Sequence, residues 1–222
     1  MDKTLSSLLS SPAHFQRLLT YILRKYIHKS VFIYLDDVLT LSPDFETHLK
    51  HIDEVLSAFT QAGMKLSWDK SQFAVQEISF LGHNISNVGI SPSSQHIKSL
   101  STFPTPTGPR QLKSFLGVLQ FFSTFIPNKG ELTSNLQQLC RKKTKWTWTK
   151  AHDENFRKLR DIITSKPILQ YPDHNRPFVV FSDASDKAIG GCILQKHVKT
   201  GKYLPVGFCG RSLNDAERKR AI

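Results

Sequence analysis

The strongest constraint on the fold is that the hydrophobic period changes twice along the 222 residues. Up to residue 92, short β-rich runs are interspersed with helical stripes. From Ser93 to residue 166 the apolar residues recur every three or four positions, the spacing of one helix face. Beyond residue 167 short β-rich runs return. That order implies an α+β chain in three parts, 1–92, 93–166 and 167–222.

The local signals are specific. Residues 11–26 read as a helix with Phe15, Leu18, Leu19 and Ile22 on one face, and Pro12 suits its first turn. Ser30 to Leu41 reads as a hairpin, with VFIY and VLTL flanking Asp36 and Asp37 at the tip. Residues 46–62 are helical, with Leu49, Ile52, Val55, Leu56 and Phe59 as the stripe and Gly63 at the left-handed cap. Met64–Ser67 and Ile78–Ile85 read as short strands, and Asn87-Val88-Gly89 as a turn. Four helical stripes follow, centred on Leu100, Phe115, Leu136 and Leu159, and they imply a small bundle. Phe178–Phe181, Ala188–Gln195 and Tyr203–Phe208 read as three strands, the first of them buried. Lys199–Lys202 is a tight turn between the last two, and Asn214 with Glu217 forms a capping box.

Composition narrows the class of protein. Hydrophobic residues make up 39% of the chain, enough for a core, which excludes wholesale disorder. No apolar run reaches the roughly 20 residues of a membrane helix, and the opening is not a secretory signal. The expectation is an intracellular protein of cytoplasm or nucleus with no membrane partner. Cys140, Cys192 and Cys209 suggest neither a disulfide framework nor a zinc spacing, and the nine histidines suggest no metal site and no role. The net charge of +12 is uneven. Residues 1–92 carry 8 basic and 9 acidic side chains, 93–166 carry 13 against 4, and 167–222 carry 9 against 5. The basic middle, with Arg141, Lys142, Lys143 and Lys145, fits phosphate-backbone binding or a solvated helical surface.

Tyr34-Leu35-Asp36-Asp37 is the sharpest chemical signal. Adjacent carboxylates at a hairpin tip repel each other, and a divalent cation held by their oxygens relieves that repulsion. Pairs of such ions clamp in-line phosphoryl displacements. An ordinary exposed Asp-Asp turn is the alternative.

From this box outward the chain resembles the reverse transcriptase of gypsy-type LTR retrotransposons, within their retroviral-like Pol polyproteins. Six motifs carry the likeness in order. Ser11-Pro12-Ala13-His14-Phe15-Gln16 resembles a nucleotide- and template-contacting helix, and Tyr34–Asp37 the Y-x-D-D polymerase box. Gly63-Met64-Lys65-Leu66 with Asp69-Lys70 resembles the next motif, and Phe80-Leu81-Gly82 the primer-grip turn. Leu112–Pro127 is similar to the thumb signature, and Phe181-Ser182-Asp183 to the first acidic strand of an attached RNase H domain.

The resemblance implies a partial right-hand polymerase palm (1–92), a helical thumb and connection (93–166) and the first strands of an RNase H-like domain (167–222). It implies an RNA-directed DNA polymerase with a hybrid nuclease, using Mg²⁺ or Mn²⁺. The partners would be deoxynucleoside triphosphates, a primed RNA or DNA template and an RNA–DNA hybrid. Asp36 and Asp37 would be catalytic metal ligands, and Asp183 the first metal ligand of the nuclease. Tyr34, Leu35, Pro12, Phe15 and Gln16 would contact nucleotide or template. Lys70 would protonate the leaving group, or simply be solvated. Phe80, Leu81 and Gly82 would hold the primer, and Arg141, Lys142, Lys143 and Lys145 the backbone. Trp146 and Trp148 would stack on bases or, in the favoured use, pack at the foot of the bundle.

By the same likeness a further catalytic Asp is expected upstream, a glycine is expected where Ser7 stands, and a second nuclease carboxylate is expected beyond Glu217. The chain is therefore expected to be truncated at both ends and active within a longer polyprotein or with a second chain. The alternative is an inactive remnant that binds nucleic acid through the basic thumb.

Overall fold

The computed structural model describes residues 11–142 and 144–220. They form two compact units that divide between Gln76 and Glu77. That boundary follows compactness, whereas the boundaries at 92 and 166 follow the changes of hydrophobic period and the family likeness.

The first unit contains α1 (Ser11–Ile22), β1 (Val31–Tyr34), β2 (Asp37–Thr40) and α2 (Phe45–Gln61), then a 3-10 turn at Trp68–Lys70. Strands β1 and β2 pair antiparallel from Val31–Thr40 to Tyr34–Asp37, which sets the expected hairpin with a two-residue tip. Leu19, Leu23, Val31, Val55 and Phe59 form its buried core. The α1 stripe differs from expectation: Leu19 and Leu23 are buried, while Phe15 and Leu18 are exposed. A two-stranded ribbon is too narrow to cover more than one row of a facing helix. Asp44 caps α2, accepting from the Thr47 backbone N–H and hydroxyl at 2.8 Å each. Those bonds hold its carboxyl below the usual carboxylate range. Gly63 ends α2 with φ +66°, the left-handed conformation expected there. Met64–Ser67 is not a strand but irregular chain, tied back to α2 by the Met64 N–H on the Phe59 carbonyl, that runs into the 3-10 turn.

The second unit opens with a meander of β3 (Glu77–Phe80), β4 (His83–Ser86) and β5 (Gly89–Pro92). The expected single strand over Ile78–Ile85 is thus a hairpin, folded at Leu81-Gly82, and β5 follows as an additional strand. The helices α3 (Ser94–Ser101), α4 (Pro109–Phe121), α5 (Lys129–Leu139) and α6 (Lys150–Thr164) match the four stripes. Thirteen buried residues make the core here, with Phe115, Phe122, Phe125 and Phe156 the largest of them. The free edge of β5 is closed by Leu169, which exchanges two 2.9 Å backbone bonds with Ile90. Trp146 and Trp148 stack at 5.6 Å and pack against this core, the favoured use of the pair.

Strands β6 (Phe178–Ala184), β7 (Ala188–Lys196) and β8 (Tyr203–Ser212) form an antiparallel sheet in that order, followed by α7 (Asp215–Arg220). Helix α5 lies against β7 and β8. It comes so close that a Cβ on Gly130 would stand 2.6 Å from the Arg211 carbonyl oxygen. The expectation of a buried first strand fails. In β6, Val180 is 68% exposed and Phe181 57%. Its pattern is that of a buried strand, but it lies on the sheet edge and no described layer covers its faces. The capping box forms as expected, with Asn214 and Glu217 exchanging 2.9 Å bonds. No described helix is long and apolar enough to cross a membrane, and the three cysteines are free.

Candidate active site

The box at Tyr34–Asp37 is built by local geometry. The loop residues are Leu35 and Asp36, and Leu35 adopts φ +55°. A left-handed first position suits a two-residue hairpin loop, but for leucine it costs on the order of 1–2 kcal/mol. The side chain of Gln16, on α1, offsets that cost by bonding the β1 side of the tip at two points. Its amide NH₂ donates to the Ile33 carbonyl at 3.4 Å, and its carbonyl oxygen accepts from the Leu35 N–H. Helix α1 thus fixes the turn that presents the acids.

Asp36 and Asp37 are both exposed, and neither side chain has an ion pair or hydrogen bond among the described residues. Tyr34 is half exposed beside them. Pro12 and Phe15 lie on the exposed side of the same helix. Of the helix residues singled out from sequence, Gln16 is the one joined to the hairpin. Lys70 closes the exposed 3-10 turn, and the structure records no side-chain bond for it.

The remaining candidates belong to the second unit. Phe80 and His83 pair across a loop in which Leu81 (φ +48°) and Gly82 (φ +76°) are both left-handed, the signature of a type I′ turn. Leu81 is exposed at the tip. Arg141, Lys142 and Lys145 lie on the exposed connection between α5 and α6, and Lys143 lies outside the described residues, as does Ser7. Asp183, near the end of β6, is exposed and accepts from the Ala184 N–H at 2.9 Å. Glu217 is engaged elsewhere. Arg211 binds it in a fork at 2.7 and 2.8 Å, and with the Asn214 N–H this holds its carboxyl down to about 2. No group of three or more His, Cys, Asp or Glu residues converges on a metal position among the described residues.

With this geometry in place, two family likenesses coincide with the two ends of the chain. Residues 8–85 match the reverse transcriptase (RNA-dependent DNA polymerase) family, and residues 148–222 match the RNase H-like domain found in reverse transcriptase. The chain is 35% identical over 209 residues to the retrovirus-related Pol polyprotein from transposon 297 of Drosophila melanogaster, covering 94% of this chain. This chain belongs to the reverse transcriptase and RNase H region of retrovirus-related Pol polyproteins.

A second relative of this reverse transcriptase segment is the transposon Tf2-3 polyprotein of Schizosaccharomyces pombe, 30% identical over 213 residues and 96% of the chain. The segment spans only 19% and 16% of those two polyproteins. Among solved structures it resembles the foamy viral protease-reverse transcriptase. One, in complex with double-stranded DNA, has a TM-score of 0.80 at 25% identity, covering 94% of this chain and 36% of that one. Another, in complex with an RNA/DNA hybrid, has a TM-score of 0.77, covering 96% and 28%. The likenesses support the partial polymerase and RNase H-like fold expected from sequence.

Sequence reasoning missed the clamp that Gln16 places on the hairpin. Gln16 and Leu35 are 19 residues apart, and no periodicity connects a helix amide to a turn N–H at that distance. The left-handed leucines were equally hidden, because leucine gives no turn signal.

Proposed function

We propose that this segment supplies palm, thumb and opening nuclease strands, at 1–92, 93–166 and 167–222, to an RNA-directed DNA polymerase that extends a primer on an RNA or DNA template. The observation that carries the reading is the pair of unpartnered carboxylates on a hairpin tip fixed from α1. Two hard oxygen donors side by side suit Mg²⁺ or Mn²⁺. Such a cation, when bound, screens the charge that develops during in-line nucleotidyl transfer. Asp36 and Asp37 hold it, and a further ligand has to come from outside the described residues.

In this reading the tip residues Tyr34 and Leu35, with Pro12 and Phe15 on α1, line the path of nucleotide and template. Gln16 serves that path by holding the tip. Lys70 supplies a proton to the departing pyrophosphate, and Phe80, Leu81 and Gly82 hold the primer strand. Arg141, Lys142, Lys143 and Lys145 contact backbone phosphates, for which the exposure of Arg141, Lys142 and Lys145 on one connection is the support. Asp183 is the first cation ligand of the nuclease, acting on an RNA–DNA hybrid. The rest of a longer polyprotein, or a second chain, completes both sites.

The test is primer extension on an RNA template with Mg²⁺ or Mn²⁺ by the longer polyprotein that carries this segment, wild type against D36N/D37N, together with Mn²⁺-induced broadening of NMR signals of the segment. Extension lost in the double variant, with broadening centred on residues 34–38, is the expected result. Broadening that is the same in both proteins would remove the hairpin from the chemistry.

A further inference from the structure

Between Pro12 and Leu35 the sequence carries Arg17, Arg24, Lys25 and Lys29 and no acidic residue. Two of these cations, Arg24 and Lys25, line a cavity of about 290 Å³ in the first unit, where the end of α1 meets the end of α2. Ala58 and Ala62 stand one turn apart on α2, and their short side chains leave the floor open. Tyr21 and Tyr26 line the α1 side. Tyr26 packs against the core, and its carbonyl accepts from the backbone N–H groups of Lys29, Ser30 and Val31 at 3.1 Å each, which pins that wall. Tyr21 is 66% exposed.

We propose that this cavity is a nucleotide site separate from the hairpin tip, in which Tyr21 and Tyr26 receive a nucleobase, Gln61 bonds its edge, and Arg24 and Lys25 hold the attached phosphate. A free nucleotide and an unpaired nucleotide of a strand share that chemistry. The site does not depend on the polymerase reading, because no residue of the tip takes part in it.

Charge selects an anion. Neither Arg24 nor Lys25 has a carboxylate partner among the described residues. Glu54, the acid closest to Ala58 along α2, precedes it by one turn and does not line the cavity. At the two helix ends the carbonyls of Leu19, Leu23, Ala58 and Phe59 already accept backbone N–H groups, which leaves the two cations to set the local potential. The planar fork of an arginine donates two parallel bonds to a phosphate. The rings select a base. Arg24 lies 4.8 Å over the Tyr21 ring, an attraction that holds the guanidinium along one face and leaves the opposite face for stacking. Stacking on an aromatic ring suits every base, and the exposed amide of Gln61 offers both a donor and an acceptor.

Size and direction narrow the ligand further. The volume of about 290 Å³ is at the lower end of small-molecule pockets, room for a base with its phosphate and not for a length of peptide. Tyr21 lies about 140° around α1 from Gln16. The cavity therefore opens on a different side of the helix from the side chain that holds the tip. A nucleotide bound here is additional to one presented to Asp36 and Asp37.

The experiment titrates the 222-residue chain with deoxyadenosine monophosphate, inorganic phosphate, deoxyadenosine, a short oligo(dA) strand and polyglutamate. It follows the amide NMR signals of residues 21–26 and 58–62, without divalent cation so that the tip is not engaged. The proteins are wild type, R24Q/K25Q, Ala58→Leu and D36N/D37N. The monophosphate should shift both sets of signals and bind at least roughly tenfold tighter than phosphate or deoxyadenosine alone. R24Q/K25Q should weaken it at least roughly tenfold, and Ala58→Leu, which fills the floor, should abolish it. Phosphate or polyglutamate bound as tightly as the monophosphate would overturn the base contact, and unchanged affinity in R24Q/K25Q would overturn the phosphate contact. Should Ala58→Leu fail to fold, Tyr21→Ala on the exposed wall still has to remove the advantage of the monophosphate over phosphate. D36N/D37N should bind like wild type. A loss there would overturn the separation from the tip, and that result stands whatever primer extension shows. Oligo(dA) bound at least roughly tenfold tighter than the monophosphate assigns the site to a strand, and equal or weaker binding assigns it to a free nucleotide; either supports the site.

Discussion

The hairpins at Tyr34–Asp37 and Phe80–His83 are built alike and surrounded differently. Each has a two-residue loop, and each begins that loop with a leucine at positive φ, 55° at Leu35 and 48° at Leu81. The first is supported by one polar side chain, Gln16, and leaves both acids open to solvent. The second is enclosed by three phenyl rings and two imidazoles around its own β4. A turn that must present charge needs a support that leaves its outer face bare, while a turn that must hold position tolerates enclosure. The surroundings differ in the same sense. Five buried residues form the core of the first unit and thirteen that of the second.

The largest expected contrast is between chemistry and stability. Within the longer polyprotein, D36N/D37N should abolish extension, by at least ~10³-fold or about 4 kcal/mol of barrier, and in the segment it should leave the melting temperature unchanged because both side chains are exposed and have no partner among the described residues. A stability loss as large as the activity loss would mean that the acids are structural and would break the comparison.

Gly82→Val should do the reverse to the second hairpin. It forces a branched side chain to φ +76° and pushes a Cβ against His96 and Phe121, costing about 2–4 kcal/mol by denaturant unfolding. An unaffected midpoint would show that the enclosure is loose.

Gln16→Ala should cost about 1–2 kcal/mol and slow extension by loosening the tip, with the acids untouched. Unchanged order at Leu35, read from amide relaxation, would show that the hairpin holds itself.

The smallest effect sharpens the comparison most. Leu35→Gly removes the left-handed penalty from an open tip and should stabilise by up to ~1 kcal/mol. Leu81→Gly should do the same, since its side chain is exposed. A loss in either case would reveal a side-chain contact that outweighs the backbone strain.

Much of the fold could be read from residues close in sequence. Asn214 and Glu217 specify their own reciprocal cap, Gly63 marks the end of α2, and Leu112, Phe115 and Leu119 declare a helix face before any partner is known. Adjacent acids between two β-rich runs likewise mark the turn of a hairpin. These signals are short-range, because capping bonds and helical period span three or four residues.

Reading the same kind of pattern failed where burial depends on a covering layer. Phe178–Phe181 has the composition of an interior strand, yet it forms an edge, since composition records what a strand could bury and not what lies over it. Ile78–Ile85 reads as one strand because its apolar residues run on through a turn made by Leu81-Gly82.

The sequence by itself therefore determined the elements, their order, the family likeness and the pair of acids at one tip. Only the tertiary structure decided that Gln16 holds that tip, that His83 and His96 close over the other, and that Leu169 seals β5. Gln16 and Leu35, Gly82 and His96, His83 and Phe121, and Ile90 and Leu169 lie between 14 and 79 residues apart, too far for local propensity to link them. Packing brings them together, and a side-chain amide or imidazole acquires its function from what packing places within about 3 Å of it.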